Sequence, residues 1–174
     1  MRNEVILVDE HDNVVGTMDK LEAHQKAMLH RAVSVFIINS RGEWILQQRA
    51  LEKYHSAGLW SNTCCTHPSP GESVEDAARK RLMEEMGMPC MPLHKAFHFI
   101  YKANLDNGLT EHELDHVFYG FCDELPRINP HEVMAWKTIA PLQLEKELLN
   151  NPEYFTVWFR LLFPRMKDFL EKLF

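Results

Sequence analysis

Five residues of this 174-residue chain offer donor atoms that one cation could use: His24, His30, His67, Glu111 and Glu113. Three neutral imidazoles with two carboxylates suit a divalent ion such as Zn²⁺, Mn²⁺ or Mg²⁺, because mixed nitrogen and oxygen donors exclude none of them. Glu111 and Glu113 are two apart, so an extended backbone would project both carboxylates from one face of a strand, where they could grip one ion together. The competing reading is plainer. The chain has ten histidines, and the stretch TEHELDH (residues 110–116) also reads as a solvated strand edge.

The segment WSNTCCTHP (residues 60–68) places two thiols beside His67. Successive residues of an extended segment point to opposite sides, so Cys65 shares a side with His67 and Cys64 reads as a packed neighbour. A thiol with a reference pKa near 8.5 can give up a proton at neutral pH if it stays protonated, which thiolate nucleophiles do not. Lys20, Arg49, Lys53 and Arg81 could neutralise a diphosphate, the arginines by bidentate contact and the lysines as point charges. Taken singly, each is an ordinary surface cation.

These residues need a frame. Val5–Val8 and Val14–Met18 read as a hairpin around the polar turn Asp9–Asp12. Ala32–Asn39 is rich in β-branched and aromatic residues and leads through Ser40-Arg41-Gly42 to Trp44–Gln48, a second hairpin. Ser73 can cap a helix, with Asp76 as its capping-box partner and Gly87 as the stop. Val74, Ala78, Leu82 and Met86 would form its buried stripe, and Arg81 and Glu85 share a face beside it. Strands over Ala96–Ala103, His116–Phe121 and Val133–Trp136 precede a helical C-terminus from about Pro141. That order predicts an α+β (mixed α/β) fold with a mainly antiparallel sheet between helices.

A chain of this length with 45% hydrophobic residues suits a single domain over 1–174. A net charge of −6 gives no general basic surface, so neither nucleic acid nor anionic membrane is an expected partner. No apolar run approaches the roughly 20 residues of a spanning helix. The charged N-terminus is unlike a signal peptide, and Cys64, Cys65, Cys90 and Cys122 do not form a disulfide framework. The expectation is a cytoplasmic protein with free thiols, a monomer or small homo-oligomer.

ARKRLMEEMGM (residues 78–88) resembles the tail of a Nudix box, with Glu84 and Glu85 on its paired glutamates and Glu72 on the isolated one. Thr66 stands where the box begins with glycine, and Lys80-Arg81 replaces the Arg-Glu pair of the hydrolases, which argues against diphosphate hydrolysis. RALEKYHSAGLWSNTCCTHP (residues 49–68) resembles the substrate loop and cysteine motif of the isopentenyl diphosphate isomerase branch, although Thr66 replaces a common glycine there too. TEHELDHVF resembles that branch's second motif, and DKLEAH and YFTVWF extend the likeness over nearly the whole chain. The resemblance implies a Nudix-like fold and an enzyme interconverting isopentenyl and dimethylallyl diphosphates through a tertiary carbocation-like species.

The resemblance also implies roles. Cys65 and Glu113 are the catalytic thiol and carboxylate, and Tyr101 and Trp158 are polar and aromatic groups around the hydrocarbon. Lys20, Arg49, Lys53 and Arg81 contact the diphosphate. His24, His30, His67, Glu111 and Glu113 hold a Mn²⁺, Zn²⁺ or Mg²⁺ ion, while Glu85 and the Cys65 carbonyl serve a Mg²⁺ that travels with the substrate. Read without the family, Trp158 is a core residue of an amphipathic helix.

Overall fold

The computed structural model describes residues 3–89 and 92–173, so Cys90 lies outside the described residues. Its strands are Glu4–Val8 (β1), Val14–Asp19 (β2), His30–Ile38 (β3), Trp44–Arg49 (β4), Trp60–Ser61 (β5), Cys64–Thr66 (β6), His94–Asn104 (β7), Thr110–Phe121 (β8) and Val133–Ile139 (β9). Its helices are Lys20–Gln25 (α1), Val74–Met86 (α2), Pro141–Asn150 (α3) and Val157–Leu173 (α4), with a 3₁₀ turn over Pro152–Tyr154.

Both faces of β3 are buried, as a strand at the centre of a two-sided sheet requires. Val33, Val35 and Ile37 pack with Ala78, Leu82 and Met86 of α2. Phe36 and Ile38 pack with Trp158, Phe159, Leu162 and Met166 of α4. One edge of β3 pairs in parallel with β8, from His30 opposite Glu113 to Ile38 opposite Phe121. The other edge is shared by β1 at His30, β6 at Val33–Val35 and β4 at Ile37–Ile38, all antiparallel. The remaining pairs of named strands are antiparallel. This is the mixed, mainly antiparallel sheet between helices that the order of elements predicts.

Local signals set the helix ends. The Ser73 hydroxyl accepts from the Asp76 N–H at 3.1 Å and closes the first turn of α2. Gly87 ends it in the left-handed region at φ 59°, a conformation that costs glycine nothing. A Cβ there would also collide with the backbone of Arg127.

Strand ends differ from expectation by one to three residues, and larger departures occur at β8 and α1. The strand read as His116–Phe121 begins at Thr110, because the polar run before it lines a pocket rather than a loop. From Glu113 onward that run lies between β3 and β7, while Thr110, Glu111 and His112 pair with β7 alone; Glu111 and Glu113 are nonetheless buried. The helices expected from about Pro141 onward are α3 and α4, separated by 151–156. Helix α1 has six residues, too short for a periodic signal, and is started by the Asp19 carboxylate accepting from the Glu22 N–H at 3.1 Å.

Candidate active site

One face of β8 carries Glu111, Glu113 and Asp115 before it turns apolar at Val117 and Tyr119. The polar end meets His30 at the start of β3, His24 on α1 and His67 just beyond β6. His24, His30, His67 and Glu113 each offer one ligand atom, all within 4.8 Å of one another.

The backbone selects which nitrogen each ring presents. His24 Nδ1 lies 2.7 Å from the Lys20 carbonyl and His30 Nδ1 2.8 Å from that of Met28. A carbonyl only accepts, so Nδ1 carries the hydrogen and Nε2 carries the lone pair. His24 Nε2 is buried without a hydrogen-bond partner. His30 Nε2 and His67 Nε2 lie 3.2 and 2.6 Å from Oε2 of Glu113. Burial pulls the His67 pKa down to about 3 and lowers that of His24, so both rings are neutral and able to ligate. An orphaned imidazole nitrogen facing two more nitrogens and a carboxylate fits a divalent cation.

Glu111, the fifth residue of the expected ligand set, falls outside that group of four and lies instead within 4.8 Å of ligand atoms of His24 and His55. The Tyr101 hydroxyl is hydrogen-bonded to Glu111 and, at 2.5 Å, to Glu113. It has one proton for two acceptors, so a second proton belongs on a carboxyl. Burial and the charge of Glu113 push Glu111 well up, making it the holder. Burial also acts to raise Glu113, but it lies well below the usual carboxylate range, chiefly through His67, whose Nε2 at 2.6 Å can donate to its Oε2 while no ion takes that place.

Cys65 pairs with Ser34 across β6 and β3 and points toward the α4 side of the sheet, whereas Cys64 packs against α2. Its thiol donates to Asn62 Oδ1 at 3.3 Å and lies 3.6 Å from the Ser34 hydroxyl, which donates to Asp115 at 2.7 Å. Burial first, and then the negative charge of Asp115, push the Cys65 pKa far up, so the thiol keeps its proton.

Opposite lies a cationic wall. Lys53 and Arg81 meet on the carboxylate of Glu132, and Arg81 also lies 2.7 Å from Glu85, whose other oxygen accepts from Gln47 at 3.0 Å. Burial, followed by Lys53, Arg81 and Arg49, lowers Lys20 to about 8. The Arg49 guanidinium stands 5.1 Å over the indole of Trp158, whose ring nitrogen has no hydrogen-bond partner.

The cavity enclosed by these groups measures about 550 Å³. Its walls include Lys20, Arg49, Lys53, Cys65, His67, Arg81, Glu85, Tyr101, Glu111, Glu113 and Trp158, with His24 and His30 fully buried. All the residues singled out for chemistry therefore gather at one place. Sequence reading missed His55, Asn62, Asp115 and Glu132, which join the same network. Asp115 continues the i, i+2 row of Glu111 and Glu113 and could have been found by that spacing. The other three carry no local signal.

Residues 28–159 match the NUDIX domain model. The chain is 52% identical over 166 residues to the isopentenyl-diphosphate Delta-isomerase of Pectobacterium atrosepticum, covering 95% of this chain and 92% of that protein. It is 47% identical to the protein of the same name from Serratia proteamaculans, covering 97% and 92%. Among solved structures, it superposes on DR0079 from Deinococcus radiodurans with a TM-score of 0.78 at 19% identity, covering 93% and 98% of the two chains. It also superposes on a MutT protein from Methanosarcina mazei with a TM-score of 0.66 at 20% identity, covering 80% and 94%. The solved structures share the fold, and the relatives of near 50% identity carry the finer assignment: this chain belongs to the isopentenyl-diphosphate Delta-isomerase family of NUDIX-domain proteins.

Proposed function

We infer that this chain is an enzyme that interconverts isopentenyl diphosphate and dimethylallyl diphosphate. The observation that carries the chemistry is the placement of two proton-handling groups on strands that flank β3. Cys65 sits on β6 along one edge and Glu113 on β8 along the other, both lining one cavity. The substrate's alkene is unactivated, so the shift begins with a proton added to the terminal carbon, giving a tertiary carbocation-like species. It ends with a proton removed from the neighbouring methylene. A thiol that keeps its proton and a carboxylate that keeps its charge are one filled and one empty proton site, which is the complement this shift needs. The Tyr101 hydroxyl lets a proton pass between Glu113 and Glu111.

Lys20, Arg49, Lys53 and Arg81 take the diphosphate, and Tyr101 and Trp158 line the hydrocarbon end. An alkyl cation has no lone pair, so an aromatic face such as Trp158 is its useful neighbour, worth about 2 kcal/mol once desolvated. That equals one to two powers of ten in rate, since tenfold needs about 1.36 kcal/mol. A Mn²⁺, Zn²⁺ or Mg²⁺ ion on the His/Glu group would supply fixed positive charge beside Glu113. Glu85, with the Cys65 carbonyl, would hold the Mg²⁺ that accompanies the diphosphate. The uncombined thiols Cys64, Cys65 and Cys122 suit a reducing cytoplasm.

Proton NMR of the purified protein with isopentenyl diphosphate and Mg²⁺ in D₂O tests this reading. Dimethylallyl diphosphate carrying solvent deuterium is the expected product, whereas release of phosphate would mark a hydrolase. Cys65→Ala and Glu113→Gln should each slow turnover by about 10²–10⁴-fold with the fold intact. A variant that turns over at the parent rate removes its residue from the mechanism.

A further inference from the structure

The face of β8 turned away from the cavity carries a histidine that the chemistry above leaves unused. His116 lies between Leu114, packed against Ile6 and Val8, and Phe118, packed in the cluster beneath α2, and is only 4% exposed. Burial lowers its pKa, with Lys95 and His98 acting the same way and Asp12 against them, so the ring is neutral near neutral pH. Its Nε2 lies 2.9 Å from Oδ2 of Asp12 in the β1–β2 turn, whose Oδ1 accepts from Arg31 Nε at 2.8 Å. A carboxylate only accepts, so Nε2 carries the hydrogen and Nδ1 carries the lone pair. That Nδ1 is buried without a hydrogen-bond partner. Tethering the hairpin to the sheet explains the bond to Asp12. It does not explain a second nitrogen left desolvated and unpaired, which costs stability.

Across the sheet, His98 of β7 stands directly opposite His116, and opposed residues of an antiparallel pair project from the same face. The two ring centroids are 5.6 Å apart. The three histidines of the His/Glu group stand 5.0 to 5.6 Å apart, so the spacing is that of rings able to share an ion. His98 is exposed, which leaves its ring free to turn either nitrogen inward. An imidazole tied through its N–H to a carboxylate, with its other nitrogen free beside a second imidazole, has the surroundings of a metal-bound histidine. Nitrogen donors alone favour Zn²⁺, Ni²⁺ or Cu²⁺ over Mg²⁺.

We propose that His116 and His98 bind a divalent transition ion of the Zn²⁺, Ni²⁺ or Cu²⁺ class on the face of β8 opposite the cavity, with Asp12 fixing the His116 tautomer. Water completes the coordination. The site shares no residue with the His/Glu group and does not depend on how that group is read.

Calorimetric titration of the full, metal-stripped chain with Ni²⁺ tests this. The parent protein should hold one Ni²⁺ more than His98→Gln, a change at an exposed position. In Asp12→Asn the side-chain oxygen stays with Arg31 and the amide turns to His116 Nε2, which moves the ring hydrogen to Nδ1 and takes away the lone pair. Asparagine also tolerates the φ of 64° at this position. That variant should hold the extra ion about 10–100-fold more weakly. Equal numbers of Ni²⁺ bound by the parent and His98→Gln overturn the proposal, as does an Asp12→Asn variant that keeps the extra ion at parent affinity. If circular dichroism shows Asp12→Asn unfolded, ring ¹⁵N spectra of the parent protein titrated with Zn²⁺ decide in its place. A shift of His116 Nδ1 together with a nitrogen of His98 is expected, and an unmoved His116 overturns the site.

Discussion

Lys20 is the residue whose charge is most precarious. Burial and three neighbouring cations bring its pKa to about 8, so its ammonium is present below that pH and lost above it. A bound diphosphate supplies the missing counter-charge, and the free enzyme is the form that titrates. The value of kcat/KM for isopentenyl diphosphate should therefore fall as pH rises through about 8, and in Lys20→Met that alkaline fall should vanish along with part of the substrate affinity. Persistence of the fall in Lys20→Met, seen in pH–rate profiles, would assign it to another group. Glu132 sets the opposite condition on the same wall. By bridging Lys53 and Arg81 it keeps two cations poised when no anion is present. Nothing in the string PHEVMAW distinguishes Glu132 from a surface carboxylate, because its partners lie on other elements.

Among the elements, β8 explains both what could be read from sequence and what could not. Its second half, His116–Phe121, has the apolar, aromatic composition of a strand and is legible as one. Its first half is polar because it faces a site instead of a core, and composition alone makes it look like a loop or an exposed edge. The i, i+2 rule nonetheless held the key, since it puts Glu111 and Glu113 on one face whatever their surroundings. The core strands and α2 were legible because their signals are local: β-branched runs, a serine cap and a terminal glycine. Helix α1 and strands β5 and β6 were not, because each is fixed by its partners more than by its own few residues. His55 was missed for the same reason, as its significance lies in a proximity to His24 and Glu111 that no spacing expresses. Gly87 tests the local part of this account. Gly87→Ala adds a Cβ at positive φ against the Arg127 backbone and should destabilise the fold by more than about 1 kcal/mol, with Tm measured by circular dichroism. An unchanged Tm would mean that the end of α2 yields freely.

For the molecule as a whole, β3 joins the two larger hydrophobic clusters to the His/Glu group, so losing the sheet loses the site. We expect one cooperative thermal transition, shifted upward by metal. An ion at a hundred times its Kd adds about 2.7 kcal/mol of stability. In a chain of this size that is a rise of roughly 5–10 °C in Tm, reversed by a chelator. A Tm indifferent to Mn²⁺, Zn²⁺ and chelator would count against the ion site, and two separate transitions against the single unit. The parallel register of β3 and β8 carries one further implication, which concerns time. His30 and Glu113 touch only because residues 83 apart in the chain align. A ribosome adding about 5–20 residues per second takes roughly 4–17 s to cover that gap. During that interval the emerging polypeptide gains His67 but still lacks the carboxylates that join the histidines, so capture of an ion by the whole group would follow the arrival of β8 beside β3 rather than precede it.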